Sequence, residues 1–175
     1  AEHVAVDASM LLRIPENLSF TDAAALPEVF YTAYLNVFLE PALQEGETVL
    51  IHAAGSGVGT AALQLCRLFG HRAFATASAG KLPLATELGA SVVIDRNTAQ
   101  FRKVVLEETD GRGVDVILDP VGGSYLAENI KALAKRGRLV NIGLLGGAKA
   151  ELPLGLLLTR RLKVLGSVLR SRSRA

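Results

Sequence analysis

Apolar runs of strand length alternate with amphipathic helical stretches along the chain from residue 48 onward. The runs end at glycine, proline or other turn-forming residues, and the stretches between them carry apolar residues at helical spacing. Strands that are apolar throughout and separated by single helices indicate right-handed crossovers. We therefore predict an α/β fold, a doubly wound parallel sheet of about six strands with helices on both faces. The predicted strands are 48–53, 72–77, 92–94, 114–119, 138–142 and 162–168; the predicted helices are 58–69, 81–88, 99–108 and 124–134 (C-capped by Gly137), with a short apolar turn of helix after Pro153.

The first 46 residues do not follow this alternation. Residues 1–8 alternate like an edge strand, and 11–14 form a second short apolar run. Because two short strands cannot bury themselves alone, we expect 1–18 to be the trailing edge of another domain and 19–175 to form the domain with the sheet. Both ends look cut from a longer protein. The helical segments predicted before the sheet are 21–25 and a helix from Pro27 through Leu39.

A glycine-rich turn lies between the first predicted strand of the sheet and the helix that follows it. Glycines allow the backbone to turn tightly and to approach a pyrophosphate, and the helix directs its free amides and positive dipole end at that anion. The strict G-x-G-x-x-G spacing is not met, because its third position falls on Thr60. The position in the fold still indicates a Rossmann-type dinucleotide-binding domain; the alternative is a tight turn that binds nothing. The residues predicted to form the cradle are Gly55, Ser56, Gly57, Val58 and Gly59, of which Gly59 permits close packing of helix on strand.

The second strand distinguishes between the two nicotinamide cofactors. Sites for NAD usually place an Asp or Glu about 20 residues after the glycines, where it binds the ribose 2′-hydroxyl. No acidic residue occurs from Leu50 through Thr86. Ser78 and Lys81 follow the strand instead, and Arg96 follows the third strand. A hydroxyl and two cations suit a 2′-phosphate, so NADPH is the predicted cofactor. The alternative is that Lys81 and Arg96 are ordinary solvated surface residues.

Two further glycine-containing turns follow the fourth and fifth strands and would line the same crevice. They contribute Gly122, Gly143 and Leu144 as candidate cofactor contacts; the alternative is ordinary turn chemistry. We expect no catalytic acid or base in the chain. His52 lies inside a strand and is interpreted as a core histidine, and Cys66 is interpreted as a small core residue.

Composition narrows the function classes. Half of the 175 residues are hydrophobic and 21% are charged, which excludes a disordered chain. A single cysteine excludes a disulfide framework and favours a reducing, cytoplasmic setting. A net charge of +2 gives no argument for nucleic acid, and we interpret the basic stretch at 170–174 as a solvated loop rather than a nucleic-acid arm. No segment is predicted to span a membrane, and no metal site is predicted.

The residues also resemble a known family. The stretches 23–28 and 46–65, followed by Lys81, the strand 114–119 and the turn 143–147, resemble zinc-independent medium-chain dehydrogenases/reductases of the NADPH quinone oxidoreductase branch. The resemblance covers nearly the whole chain.

This resemblance implies a GroES-like substrate domain, whose last strands would correspond to 1–18, and a C-terminal return segment absent from the chain. It places Thr32 near the nicotinamide, and Ser78 and Lys81 around the 2′-phosphate, whereas Arg96 stands where the family usually has tyrosine. It also implies a homodimer formed through the last strand of the sheet.

The predicted activity is hydride transfer from NADPH to a quinone or a similar conjugated carbonyl. We expect the isolated chain to bind NADPH and to turn over little, because the substrate domain is missing. Two alternatives stay open: a reductase of 2-enoyl thioesters, and a non-catalytic NADPH-binding module that serves as a sensor or interaction platform.

Overall fold

Within residues 2–171, which the computed structural model describes, six strands form one parallel sheet. The hydrogen-bonded order is β3-β2-β1-β4-β5-β6, so the order reverses between β1 and β4. This is the strand order of a Rossmann-type fold, and it confirms the predicted doubly wound sheet. The strands are β1 (Thr48–Ile51), β2 (Arg72–Ala77), β3 (Val92–Asp95), β4 (Val114–Asp119), β5 (Leu133–Asn141) and β6 (Lys163–Gly166).

Helices cover both faces of the sheet, as predicted. The π-helical turn Leu35–Leu39 continues α2, and a short 3₁₀ turn, Ala79–Lys81, precedes α4. The helices are α1 (Phe20–Ala24), α2 (Pro27–Tyr34), α3 (Gly57–Leu68), α4 (Leu82–Glu87), α5 (Phe101–Glu107), α6 (Leu126–Ala132) and α7 (Leu154–Arg160).

The two faces of the strands build two separate cores. In β1, Val49 and Ile51 pack on one face with buried residues of α2, α3 and α4. Leu50, between them, points to the other face and packs with Val105 of α5 and Ile130 of α6. Successive side chains of a strand point to opposite faces, so a strand that is apolar throughout must be covered on both.

The structure corrects the prediction that Gly137 caps a helix. Helix α6 ends at Ala132, and Gly137 lies within β5. The pairing of β4 with β5 shifts here: Val114 pairs with Leu133, whereas Val116 pairs with Arg138. A Cβ at Gly137 would lie 2.8 Å from Leu133 Cδ2, so crowding in this irregular stretch accounts for the glycine.

The strands predicted at 1–8 and 11–14 are also wrong. Between residues 2 and 18 the structure has only the 3₁₀ turn Ala8–Met10, and the side chains of this segment are mostly exposed. Alternation alone cannot form a strand, because a strand needs a partner backbone, and no described residue pairs with this segment. Residues 1 and 172–175 lie outside the described residues, and this includes 172–174 of the basic stretch. The assignment of 1–18 to another domain stays a prediction.

Candidate cofactor-binding site

The turn between β1 and α3 leaves backbone amides free at the start of the helix. Ser56 has an extended backbone and caps α3, because its Oγ accepts a hydrogen bond from the amide of Gly59 at 3.1 Å. The amide of Thr60 makes the first bond within the helix, to the carbonyl of Ser56. The amides of Gly57 and Val58 in the first turn therefore have no acceptor within the helix.

Each glycine of this turn has a close neighbour where a side chain would begin. A Cβ at Gly59 would lie 2.6 Å from Ala53 O and from Ala54 Cα, which confirms the predicted close packing of helix on strand. A Cβ at Gly57 would lie 2.9 Å from Val29 Cγ1 of α2. At Gly55 a Cβ would overlap Lys81 Cδ.

Three turns at the carboxyl ends of β1, β2 and β3 meet around one cleft of about 140 Å³. Lys81 reaches across the glycine turn, and its Nζ donates to Gly55 O at 2.9 Å. The loop after β3 is tied to β2 by the amide of Arg96, which donates to Ala77 O at 3.0 Å. The cleft thus brings together five predicted site residues. Its lining residues are Ala53, Gly55, Ser56, Ala77, Ser78, Lys81 and Arg96.

A second cleft, of about 290 Å³, adjoins the first and shares Ala53 and Arg96 with it. Val121, Leu145 and Gly146 belong to the turns after β4 and β5 that were predicted to line the crevice, whereas sequence reasoning missed Asn97 and Tyr125. The ring of Tyr125, one of them, stands edge-on to His52 at a centroid distance of 4.9 Å. The remaining lining residue is Thr76.

A buried hydrogen-bonded chain connects this cleft to the turn after β4. His52 Nδ1 lies 2.9 Å from Thr76 Oγ1, and His52 Nε2 lies 2.7 Å from Asn129 Oδ1. Asn129 Nδ2 donates to Asp119 Oδ2 at 3.0 Å, so its Oδ1 is an acceptor and Nε2 of the histidine carries the proton. Burial lowers the pKa of His52, which keeps the ring neutral. This confirms the interpretation of His52 as a core histidine.

Asp119, the last residue in this series of hydrogen bonds, holds the turn that contains Gly122. Asp119 Oδ1 accepts from the amides of Val121 at 2.7 Å and Gly122 at 3.1 Å. Gly122 has a φ of 80°, and a Cβ there would lie 3.0 Å from Gly143 O. The turns after β4 and β5 therefore contact each other through their backbones.

Gly122 and Leu144 line a third cleft, of about 310 Å³, at the ends of β4, β5 and β6. The structure does not place these residues in the same cleft as Gly55. Gly143 is held in place by Asn141 Nδ2, which donates to its carbonyl at 3.0 Å. Thr32 lies on α2 and lines none of the three clefts described; its carbonyl accepts from Asn36 Nδ2 at 2.8 Å.

Three further observations concern the cysteine thiol, metal binding and membrane-spanning helices. Burial raises the pKa of the Cys66 thiol to about 12, so this side chain is a neutral core residue, as predicted. Among the described residues, no group of three or more His, Cys, Asp or Glu side chains is arranged to hold a metal ion. None of the helices described is long and apolar enough to cross a membrane.

Comparison with known proteins assigns the family. The family model described as zinc-binding dehydrogenase matches residues 57–175, which is more than half of the chain. The chain belongs to the zinc-binding dehydrogenase family. Quinone oxidoreductase-like protein 2 of Mus musculus, a curated relative, is 37% identical over 168 residues, which are 95% of this chain and 48% of that protein.

Solved structures of related oxidoreductases share the fold. Escherichia coli quinone oxidoreductase complexed with NADPH superposes with a TM-score of 0.82 at 30% identity over 90% of this chain and 49% of that one. The CurK enoyl reductase superposes with a TM-score of 0.80 at 34% identity over 91% of this chain and 47% of that one. The chain thus spans about half the length of these relatives, and less than a tenth of several polyketide synthases that it also matches. This dehydrogenase-family domain resembles quinone oxidoreductases and enoyl reductases alike.

Proposed function

We propose that the chain is the NADPH-binding domain of an oxidoreductase that transfers hydride to a quinone or a similar conjugated carbonyl. One observation carries the proposal. The glycine turn, Ser78, Lys81 and Arg96 lie around a single cleft at the carboxyl edge of the sheet, beside the point where the strand order reverses. Ligands of doubly wound sheets bind at that point.

The turn at 55–59 fits a pyrophosphate. The Gly57 and Val58 amides are open at the start of a twelve-residue helix, whose dipole favours an anion. The turn would hold the diphosphate of a dinucleotide through these backbone donors. Lys81, whose Nζ is held on Gly55 O, lies beside Ser78 in the first cleft, where its ammonium would face the 2′-phosphate.

The adjoining residues fit an adenosine that carries a 2′-phosphate. The seven residues that line the first cleft include no carboxylate, which in NAD sites binds the ribose hydroxyls and would repel a phosphate. Ser78 offers a hydroxyl and Arg96 a guanidinium that binds phosphate through two parallel bonds. The second cleft, which shares Arg96 and is lined by Tyr125 and Leu145, has a partly apolar surface suited to the adenine ring.

The turns after β4 and β5 would then face the nicotinamide end. The bound cofactor would supply the hydride, and the chain would supply position and orientation. Gly122, Gly143 and Leu144 would approach this end from the sheet, and Thr32 from α2. Residues 1–18 would lead from a GroES-like substrate domain that closes the other side of the crevice.

Reduction of a 2-enoyl thioester is the second candidate, favoured by the similarity to the CurK enoyl reductase at 34% identity. The full-length gene product that contains this chain distinguishes the two. NADPH oxidation is measured with a benzoquinone and with a 2-enoyl thioester as acceptors. Faster turnover of the quinone supports the first proposal, faster turnover of the thioester supports the second, and turnover of neither contradicts both.

We also propose that two copies pair through β6 and that the protein works in the reducing cytoplasm. Strand β6 is the last in the sheet order, and its Val164 is 41% exposed. An unpaired edge with an apolar side chain favours association with a second strand. The one cysteine of the chain, buried and free, is consistent with a reducing compartment.

A further inference from the structure

A groove of about 470 Å³ lies at the amino ends of β1, β5 and β6. The proposed cofactor cleft follows the carboxyl ends of the strands, so the groove lies at the opposite edge of the sheet. Four cationic side chains and one carboxylate line it. The lining residues are Pro41, Ala42, Gln44, Glu47, Arg136, Arg138, Arg161 and Lys163.

One of the four cations is fully engaged within the protein. Arg138 forms a two-point ion pair with Glu47, at 2.8 Å to Oε1 and 2.6 Å to Oε2. It also donates to the carbonyls of Pro41 and Ala42. Arg138 is only 8% exposed, so this pair forms the floor of the groove. The only carboxylate among the lining residues is therefore neutralised.

The other three cations have no ion-pair partner among the described residues. Within residues 2–171 the side chains of Arg136, Arg161 and Lys163 make no ion pair and no hydrogen bond, and all three residues are exposed. Arg72 and Arg112, by comparison, pair with carboxylates at 3.3 and 2.7 Å. Three uncompensated positive charges around one groove repel each other and attract an anion.

The backbone gives a second, independent observation. Arg136 and Arg161 have φ values of 67° and 55°, in the left-handed region that favours glycine or asparagine. Ala42, which also lines the groove, has a φ of 50°. Three of the five non-glycine residues with positive φ in the described part of the chain thus line this groove. Arg161 is the left-handed C-cap that ends α7, and these backbone turns direct long cationic side chains to the groove.

We propose that this groove binds a small, multiply charged phosphorylated anion. Two guanidinium groups and one ammonium suit phosphoryl oxygens, since each guanidinium can make two parallel bonds. The volume is in the range of small-ligand sites. The three charges converge on one groove rather than forming a stripe along a face, which favours a small anion over a nucleic acid. The proposal does not depend on the function assigned to the opposite edge.

Inorganic pyrophosphate is the probe. It is titrated into the ¹⁵N-labelled chain at low ionic strength, and amide shifts are followed by NMR. We expect saturable shifts at Arg136, Arg161 and Lys163. The triple variant Arg136→Gln/Arg161→Gln/Lys163→Gln should weaken this binding by about tenfold or more, because each cation lost removes charged hydrogen bonds. Lys135→Gln, which changes an exposed cation outside the groove, should change the affinity by less than about twofold.

Several results would overturn the proposal: shifts that do not saturate, an equal loss in Lys135→Gln, or tighter binding of a duplex DNA through the same three residues. The glycine turn at 55–59 provides a separate readout, because its amides should respond to pyrophosphate in the triple variant as they do in the unaltered chain. Loss of the shifts at that turn alone would contradict the proposed function and leave the groove intact.

Discussion

Gly59 shows how a missing side chain positions the cradle. Its Cα approaches Ala53 and Ala54 so closely that a Cβ would lie 2.6 Å from backbone atoms, which cannot move without shifting helix from strand. Gly55 differs, because the obstructing atom there is the flexible side chain of Lys81. Glycine therefore allows close packing of helix on strand at position 59 and leaves space for the Lys81 side chain at position 55.

We predict that Gly59→Ala lowers the free energy of unfolding by about 2–4 kcal/mol, since the clash is with backbone. Urea denaturation followed by circular dichroism measures this. Gly155→Ala is the matched control: Gly155 lies in α7 with no atom within 4 Å of a new Cβ. It should be neutral or stabilising by up to about 1 kcal/mol, because alanine favours helix. Equal stability of Gly59→Ala and the wild-type chain would contradict the close-packing argument.

The hydrogen bonds from Thr76 through His52 and Asn129 to Asp119 connect β2, the turn after β1, α6 and β4. All four side chains are buried, so each polar atom depends on its partner rather than on water. This series of hydrogen bonds also holds the turn with Gly122 through Asp119. The position of that turn is therefore set by elements on both sides of the reversal in strand order.

We predict that Asn129→Ala lowers the free energy of unfolding by about 2–4 kcal/mol, because it leaves a buried N–H of His52 without an acceptor. Gln64→Ala, which removes an exposed side chain of α3, should cost less than about 0.5 kcal/mol. The double variant His52→Phe/Asn129→Leu should be less destabilised than the sum of its single variants. Additive effects in this double-mutant cycle would show that the two side chains are not coupled.

The sequence predicts the elements whose ends are marked by local chemistry. Strands β2 and β4 have the predicted bounds, because a polar residue or glycine precedes each and a polar residue or proline follows. The end of α6 could not be read in this way, since no glycine, proline or other turn-forming residue lies between Ile130 and Leu133, where β5 begins. Gly137 misled the prediction because it lies in an irregular part of a strand, where a side chain would crowd the nearby Leu133 and Ala134.

The candidate site was predictable only where it follows directly from a strand end. Gly55, Ser78, Lys81 and Arg96 each lie just after a strand, and parallel strands bring such positions to one edge. Tyr125 and Asn97 were not predicted, because no feature of the sequence around them marks them as site residues until the fold brings the turns together. The partner of His52, Asn129, is 77 residues away in sequence, and only the folded sheet brings the two together.

At the scale of the whole molecule, the sheet separates two charged regions. The proposed cofactor cleft lies at its carboxyl edge and the cationic groove at its amino edge. Apolar side chains remain exposed beside the open edge strand, namely Val164 of β6 and Leu154 and Leu158 of α7. This distribution leaves a lateral surface for a second copy, which is remote from the proposed cofactor cleft and adjoins the cationic groove at Lys163.

We predict that the chain forms a dimer, with twice its mass of 18.5 kDa, in sedimentation velocity at micromolar concentration. Val164→Lys should shift it to the monomer, because a lysine on an edge strand opposes edge-to-edge pairing. Leu68→Lys, at a 73% exposed position of α3, should leave the dimer intact. A monomeric wild-type chain, or a dimer unaffected by Val164→Lys, would contradict pairing through β6.

The central claim is that the cleft around Gly55, Ser78, Lys81 and Arg96 receives a dinucleotide with a 2′-phosphate. Isothermal titration calorimetry with NADPH and NADH on the same chain tests it most directly. NADPH should bind about tenfold or more tightly than NADH, and Lys81→Ala should weaken NADPH far more than NADH, whereas Lys135→Ala should affect neither. Tighter binding of NADH, or no uptake of either nucleotide, would contradict the account.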